Sequence, residues 1–408
     1  MSSGNSGGAA FLAGERPRPD WLRRNPRAWL ATTATVCFGG FMGQLDASVV
    51  ALTYHDIGRS FGAGLDRVQW ISLSYLIALA ALLVPLGRLS DRLGRKRVYL
   101  WGFALFTLAS VGCALAPDLL ALVLLRTAQG TGAAMLQANS IALVSTAAPA
   151  ERLRTALGIQ AAAQAIGLAV GPTVGGIVVQ SIGWRWVFAL NVPVGVVAII
   201  AGRYLLPRTR ISNPAPGRRG LADVVRRPAV PRNLVGALLA YLTLFGPIVL
   251  LPALLQAEGR TPLVAGLIVA TLPAGFALGA VAADRLLPAR WPTVRRERTG
   301  IAICIAALVG LFAAQATVIV DVPLLALLGA GLGVFIPANN AAIMRAVPSR
   351  AAALAGGLVN TARALGTAAG TAIVAVTLTA GSGRLTIAAL LAGAAGLALI
   401  TRRTRRTV

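Results

Sequence analysis

Acidic side chains are scarce in this chain: 13 Asp and Glu stand against 38 Lys and Arg in 408 residues, and Lys96 is its one lysine. Histidine occurs once, as His55, and cysteine three times, as Cys37, Cys113 and Cys304. One histidine leaves no HExxH pair and no metal-ligand cluster, so neither a metal site nor an enzyme is expected. The cysteines lie inside apolar runs without metal or disulfide spacing and read as small core residues. Only 12 % of the chain is charged, about half the share of a soluble domain, which excludes an ordinary soluble fold. Period-two alternation is also missing from the apolar runs, which excludes a membrane β-barrel.

What is present is apolar sequence in long blocks. Apolar residues make up 56 % of the chain, and the mean hydropathy is +0.74. Twelve runs of spanning length are predicted: 28–51, 68–86, 98–116, 119–147, 155–180, 186–206, 234–256, 262–283, 299–316, 322–346, 351–380 and 385–400. The fold class is therefore an all-α membrane protein. Residues 1–27 and 401–408 read as polar tails, the first of them disordered, and 207–233 as a Pro- and Arg-rich linker. The linker divides the spans into bundles over 28–206 and 234–400, as an internal duplication would. Ala-Ala-Asp-Arg after the eighth span echoes Leu-Ser-Asp-Arg after the second.

The net charge of +25 follows the same plan. Arginines crowd the tails, the linker and the even-numbered connections, whereas Arg59, Arg67, Arg185, Arg260 and Arg384 mark the other side. Short loops rich in arginine stay in the cytoplasm. Both termini are thus expected there, in a multi-pass protein of a bacterial inner membrane. Topology and anionic lipid account for the charge, so the bilayer is the expected partner and nucleic acid is not. No cofactor is implied, and the chain is expected to act as a monomer.

Charge inside the bilayer is expensive and needs a wet cavity or a partner. Asp46 lies about 15 Å from the far end of the first span at 1.5 Å per residue, and Arg126 reaches a similar depth in the fourth. The two are expected to pair, either as a structural ion pair or as a proton-exchanging site. Arg363, in the eleventh span, has no acid at its depth in the second half. It suits helix-end carbonyls or a substrate anion.

Two further stretches stand out. Residues 87–97 read Gly-Arg-Leu-Ser-Asp-Arg-Leu-Gly-Arg-Lys-Arg, a basic loop between spans that pins both to one side. In the fifth span Gly167, Gly171 and Gly175 fall four residues apart, with Pro172 and Gly176 beside them. Such glycines make a flat packing face, and the proline kinks the helix. The stretch reads as a hinge, a seal between bundles, or plain small-residue packing.

At this point the residues resemble a known family. The 87–97 loop is similar to the signature G-x-x-x-D-R-x-G-R-[KR]-[KR] of the major facilitator superfamily. Leu125-Arg126-Thr-Ala-Gln129-Gly130 resembles its fourth-helix motif, and Gly167–Gly176 its antiporter motif G-x-x-x-G-P-x-x-G-G. Leu45-Asp46-Ala-Ser-Val-Val and the Trp184–Gly195 run look like the fourteen-helix multidrug:proton antiporters. This chain has room for only twelve helices, and Ala51 and His55 replace that branch's usual Asn and Pro.

The resemblance implies an alternating-access exporter with two six-helix bundles and a central cavity. It assigns proton coupling to Asp46 and Arg126. It assigns gating of the cytoplasmic side to Gly87, Arg88, Asp91, Arg92, Gly94, Arg95 and Lys96. It makes Gly167, Gly171, Pro172, Gly175 and Gly176 an antiporter hinge, with the proton as coupling ion.

Polar and aromatic residues within spans are the candidate cavity lining: Gln44, Tyr75, Gln129, Gln137, Gln164, Asn191, Tyr241, Asn339, Asn340, Asn360 and Arg363. For each, a helix–helix hydrogen bond competes with ligand contact. Scattered amides in an apolar cavity suit an amphipathic drug, antibiotic or secondary metabolite. The leading expectation is a proton-coupled exporter of such compounds. The rival readings are a proton-coupled importer of a small, anionic metabolite and a membrane-embedded sensor or scaffold.

Overall fold

The computed structural model describes residues 18–20, 25, 27–149, 152–208, 223–286, 288, 291–313, 318–347, 352–380 and 383–402. Most of the linker, 209–222, and nearly all of both tails lie outside the described residues. Among those described the structure is helical, without β-strand. Twelve long helices run in sequence: α1 Ala28–Val49, α2 Trp70–Leu93, α3 Arg95–Leu115, α4 Leu119–Ala147, α5 Leu153–Ile182 and α6 Asn191–Leu205 form the first set. The second set is α7 Ala229–Ala257, α8 Pro262–Leu286, α9 Thr293–Ala313, α10 Val318–Ala346, α11 Ala352–Thr379 and α12 Gly383–Arg402. Among the described residues, 10 helices are long and apolar enough to cross a membrane. α9, charged over its first turns, and α12, with a short apolar run, fall below that mark.

The helix ends follow from local chemistry. α4 starts where the Asp118 carboxylate accepts the backbone N–H of Ala121 at 2.8 Å, an N-cap. Prolines stand inside α2, α5, α7, α8 and α10 without ending them, as membrane-spanning helices tolerate. Four places differ from the sequence expectation, three of them in the course of a span. The first span does not run straight to its end: α1 tightens into a 3₁₀ turn over Val50–Thr53 and continues as a short helix, Tyr54–Phe61. The sixth is broken into Arg185–Ala189 and α6, which places Asn191 at the start of a helix. The seventh begins at Ala229, inside what reads from sequence as linker.

The 87–97 stretch differs most. It is not an extended loop: residues 87–93 are the last two turns of α2, and Arg95 already opens α3. The turn is Gly94 alone, at φ 98°, a conformation open to glycine and strained for other residues. Across it Asp91 and Arg95 pair at 3.0 Å. Lys96 is fully buried, and its ammonium donates to the carbonyls of Arg203 and Leu206, both at 2.8 Å. It thereby satisfies carbonyls left open where α6 ends. Lys96→Met is expected to cost about 1–3 kcal/mol by leaving them unsatisfied, read as a lower melting temperature of the detergent-purified protein.

The helices pack as two similar halves. α1 lies against α4, α5 and α6, α4 against α2 and α3, and α3 against α6. Each of these neighbour pairs recurs six helices later: α7 lies against α10, α11 and α12, α10 against α8 and α9, and α9 against α12. The halves meet mainly through α2 on α11 and α5 on α8, which a two-fold rotation between the halves exchanges. By alternation of the twelve long helices, α1 begins and α12 ends on the side of the α2–α3 turn, here termed the basic end for Arg88, Arg92 and Arg95.

The opposite, far end is closed between the halves. Val249, Leu250 and Val374 of the second half share one apolar cluster with Val49, Val50 and Ala51 of the first. The Gln256 amide donates to the carbonyl of Leu52 at 3.3 Å, and Gln180 accepts the backbone N–H of Leu263 at 3.4 Å.

Candidate functional site

A closed polar network sits at mid-depth in the first half. α1 supplies Asp46 and α4 supplies Arg126, each essentially without exposure, and the guanidinium Nη1 lies 2.6 Å from Asp46 Oδ2. The depth argument from sequence is met: the two charges are level and face each other. Asp46 Oδ1 accepts two further hydrogen bonds, from Gln129 Nε2 at 3.2 Å and from Asn191 Nδ2 at 3.1 Å. Gln129 follows Arg126 by three residues, so both share one face of α4. The break before α6 delivers Asn191. Gln129 Nε2 also donates to Ser110 of α3 at 2.8 Å.

Arg126 is held by more than its acid. Its Nε donates to the Ile71 carbonyl at 3.0 Å, and its Nη1 also donates to Gln129 Oε1 at 2.6 Å. Its guanidinium carbon lies 4.4 Å from the centroid of the Tyr75 ring and 5.6 Å from that of Phe188, cation–π distances both. A buried ion pair that loses one member normally leaves an uncompensated charge worth about 3–5 kcal/mol. Here a carbonyl, an amide and two ring faces remain if Asp46 becomes neutral.

Between the halves lie two small cavities. The larger, about 20 Å³, is bounded by Gln44, Tyr75, Leu79 and Gln137 of the first half and by Phe245 and Arg363 of the second. The smaller, about 10 Å³, touches Ser72, Tyr75, Arg126, Val249 and Thr371. Each is of the order of a water molecule, far below the several hundred Å³ of a drug-sized site, so a large substrate requires the halves to part. Tyr75 borders both cavities. Its ring covers Arg126, and its buried hydroxyl has no hydrogen-bond partner among the described residues. Asp46 is sealed in this state and reaches the space between the halves through Arg126 and Tyr75.

Arg363 crosses the divide. Nη1 donates to Gln164 Oε1 of α5 at 2.8 Å, Nη2 donates to Gln137 Oε1 of α4, and the guanidinium carbon lies 5.9 Å from the Tyr241 ring centroid. Among the described residues no carboxylate pairs with it.

The remaining polar residues divide by location. Gln44, Tyr75, Gln137 and Arg363 line the larger cavity, while Gln164 and Tyr241 hold Arg363. Gln129 and Asn191 belong to the Asp46 network rather than to the cavity wall. Asn339 is buried and donates to the Asn233 carbonyl at 2.9 Å within the second half. Asn340 and Asn360 are half-buried on α10 and α11 and border neither cavity. His55 is exposed, Cys113 and Cys304 are buried, and all three cysteines are free. Sequence reasoning missed Ser110, Phe188 and the Ile71 carbonyl. Phe188 lies within the Trp184–Gly195 run but was not singled out there, and no motif marks Ser110 or Ile71, whose only signal was their depth opposite Arg126 and Gln129.

The glycine stretch packs on two sides. A Cβ on Gly171 would fall 1.9 Å from Ser48 Oγ, and one on Gly175 would fall 2.3 Å from a Val49 methyl. A Cβ on Gly167 would fall 2.5 Å from the Phe41 carbonyl. These three seat α5 against α1, beside Asp46. Gly176 and Pro172 face α8 instead: a Cβ on Gly176 would fall 2.5 Å from the Pro262 carbonyl, and one on Gly266 would fall 2.2 Å from the Pro172 carbonyl. α5 is thus wedged between α1, which carries Asp46, and the other half.

Similarity to known proteins follows the same lines. A family model described as Major Facilitator Superfamily matches residues 36–371. The "Multidrug resistance protein Stp" of Mycobacterium tuberculosis is 42 % identical over 174 residues, 42 % of this chain and 32 % of that protein. The "Tetracenomycin C resistance and export protein" of Streptomyces glaucescens is 37 % identical over 184 residues, 45 % of this chain and 31 % of that protein. The "Riboflavin transporter RibZ" of Clostridioides difficile is 34 % identical over 173 residues, 42 % of this chain and 38 % of that protein. The matched segment therefore spans about a third of these relatives' length. Among solved structures, a bacterial homolog of the human lysosomal transporter Spinster, in an inward-facing and unoccupied conformation, has a TM-score of 0.69. Its identity is 16 %, with 94 % of this chain and 98 % of that one covered, so the likeness is one of fold.

Proposed function

The chain belongs to the major facilitator superfamily of multi-pass membrane transporters, and from that premise we propose that it exports small amphipathic compounds in exchange for protons. The observation that carries this reading is the Asp46–Arg126 pair: buried, multiply bonded, and joined through Tyr75 to the space between the halves. Relatives named for drug and antibiotic resistance support export as its direction.

In the proposed cycle the basic end faces the cytoplasm, and the far-end contacts close the outer side. Parting of the halves at the basic end admits substrate to the space around Tyr75 and Gln137. When the far end opens instead, Asp46 takes a proton from outside. Its neutral form releases Arg126 to the Ile71 carbonyl, Gln129 and the two rings. α5, seated on α1 by Gly171 and on α8 by Pro172, transmits the change between halves. At the basic end the Asp91–Arg95 hairpin around Gly94 forms the inner gate. Neither a cofactor nor a protein partner is part of the cycle.

The test uses the full chain in proteoliposomes containing a trapped pH-sensitive dye. Adding an amphipathic dye or antibiotic on the side facing the basic end is expected to drive proton counterflow. The absence of proton movement under an imposed substrate gradient would refute exchange. A second reading, proton-coupled symport of an anion, is favoured by one observation: Arg126 borders the smaller cavity, where a proton on Asp46 would unmask its positive charge. Proton movement in the same direction as substrate would establish it.

A further inference from the structure

We propose that the central cavity selects organic acids: molecules with a flat apolar body and one carboxylate, phenolate or enolate, recognised by Arg363 and Tyr75. This rests on the reading of that cavity as the substrate site, and it is independent of the direction of transport.

The argument is one of charge balance. Arg126 is neutralised by Asp46, its partner at 2.6 Å. Among the described residues no carboxylate neutralises Arg363: its two hydrogen-bond acceptors are the amide oxygens of Gln137 and Gln164. Amide oxygens satisfy N–H groups but carry no formal charge. The larger cavity therefore holds a full positive charge, and no Asp or Glu lines it. An uncompensated charge at this depth is unfavourable, a penalty that an anionic ligand removes and a cationic ligand raises.

A second, independent feature points the same way. The Tyr75 hydroxyl is buried, borders the same cavity and lacks a partner among the described residues. An unsatisfied buried hydroxyl is costly, and a ligand oxygen would accept its hydrogen bond. Guanidinium and phenol together offer a forked donor and a single donor, the pattern that suits a carboxylate or an acidic phenol. Phe245 and Leu79 supply apolar walls for a flat ring body.

Binding would also loosen the halves. Gln137 and Gln164 belong to the first half and Arg363 to the second, so the guanidinium cross-links the halves. A carboxylate that takes the fork displaces the two glutamines and removes that cross-link. Substrate recognition and parting of the halves are then one exchange of hydrogen-bond partners.

The experiment compares two xanthene dyes of similar shape, anionic fluorescein and cationic rhodamine 123. Each is titrated by fluorescence polarisation against the full chain in lipid nanodiscs. Fluorescein is expected to bind the tighter. Arg363→Gln is expected to weaken fluorescein binding at least tenfold while sparing rhodamine 123, and Arg363→Lys to recover part of the loss. Tighter binding of rhodamine 123 by the unaltered chain would overturn the proposal, without recourse to any variant. So would binding of neither dye, or an equal loss for both dyes in Arg363→Gln, which would make Arg363 a cross-link only. Proton movement driven by rhodamine 123 in vesicles would separate these failures from failure of the transporter reading.

Discussion

Asp46→Asn combined with Arg126→Leu is expected to fold, insert and fail to move protons. Either substitution alone breaks a buried pair. Arg126→Leu leaves a carboxylate facing only Gln129 and Asn191, with an expected loss of about 3–5 kcal/mol. Asp46→Asn is milder, because Arg126 keeps the Ile71 carbonyl, Gln129 Oε1 and two ring faces. The double variant removes both charges, and a neutral pair of similar volume often matches or exceeds the stability of a buried ion pair.

Two measurements then separate the roles of the pair. If it is only structural, the double variant regains both melting temperature and transport. If it exchanges protons, the melting temperature recovers, and substrate-driven proton flux stays at the level of empty vesicles. The second result is expected. Efflux against a substrate gradient in cells should fall to that of cells lacking the protein, while downhill dye exchange across vesicles survives.

The second large effect is expected at Gly266→Val. A Cβ there would fall 2.2 Å from the backbone carbonyl of Pro172 and 3.3 Å from a Leu52 methyl. Backbone cannot rotate away as a side chain can, so α8 and α5 must separate. Overpacking of this kind costs about 1–3 kcal/mol, and the cost falls only on the state in which the far end is closed. The equilibrium should therefore shift toward an outward-open state by roughly one to two powers of ten. A cysteine placed at Thr371 should react faster with an impermeant maleimide added outside, and transport should fall. Unchanged labelling would mean that α5 and α8 do not form the outer seal. Gly171→Ala provides the contrast. Its clash is with the Ser48 hydroxyl, at the end of a short side chain that Ser48→Ala removes, so the double change should restore activity.

Much of the site was legible because its determinants are local or one-dimensional. Rise per residue set the depth of Asp46 and Arg126. Residue type in the bilayer made both conspicuous, and four-residue spacing put Gly167, Gly171 and Gly175 on one face. Residues such as Gln129 and Asn191 look the same in sequence as Gln44 and Gln137. Which of them faces the acid depends on the rotation of each helix about its axis, and that is fixed by packing against distant segments. The same limit applied to Lys96, which reads as one more loop cation and proves to be buried under the end of α6.

By itself the sequence determined a helical membrane chain of twelve spans, the sidedness of its charge, and a matched acid and arginine at one depth, since hydropathy, charge and helical rise act within a segment. The tertiary structure decided the rest: the amides that hold the acid, the single glycine that turns α2 into α3, the α5–α8 closure, and an arginine in the cavity without an acid beside it. These are relations between surfaces far apart in the chain, and only the docking of one helix on another selects them.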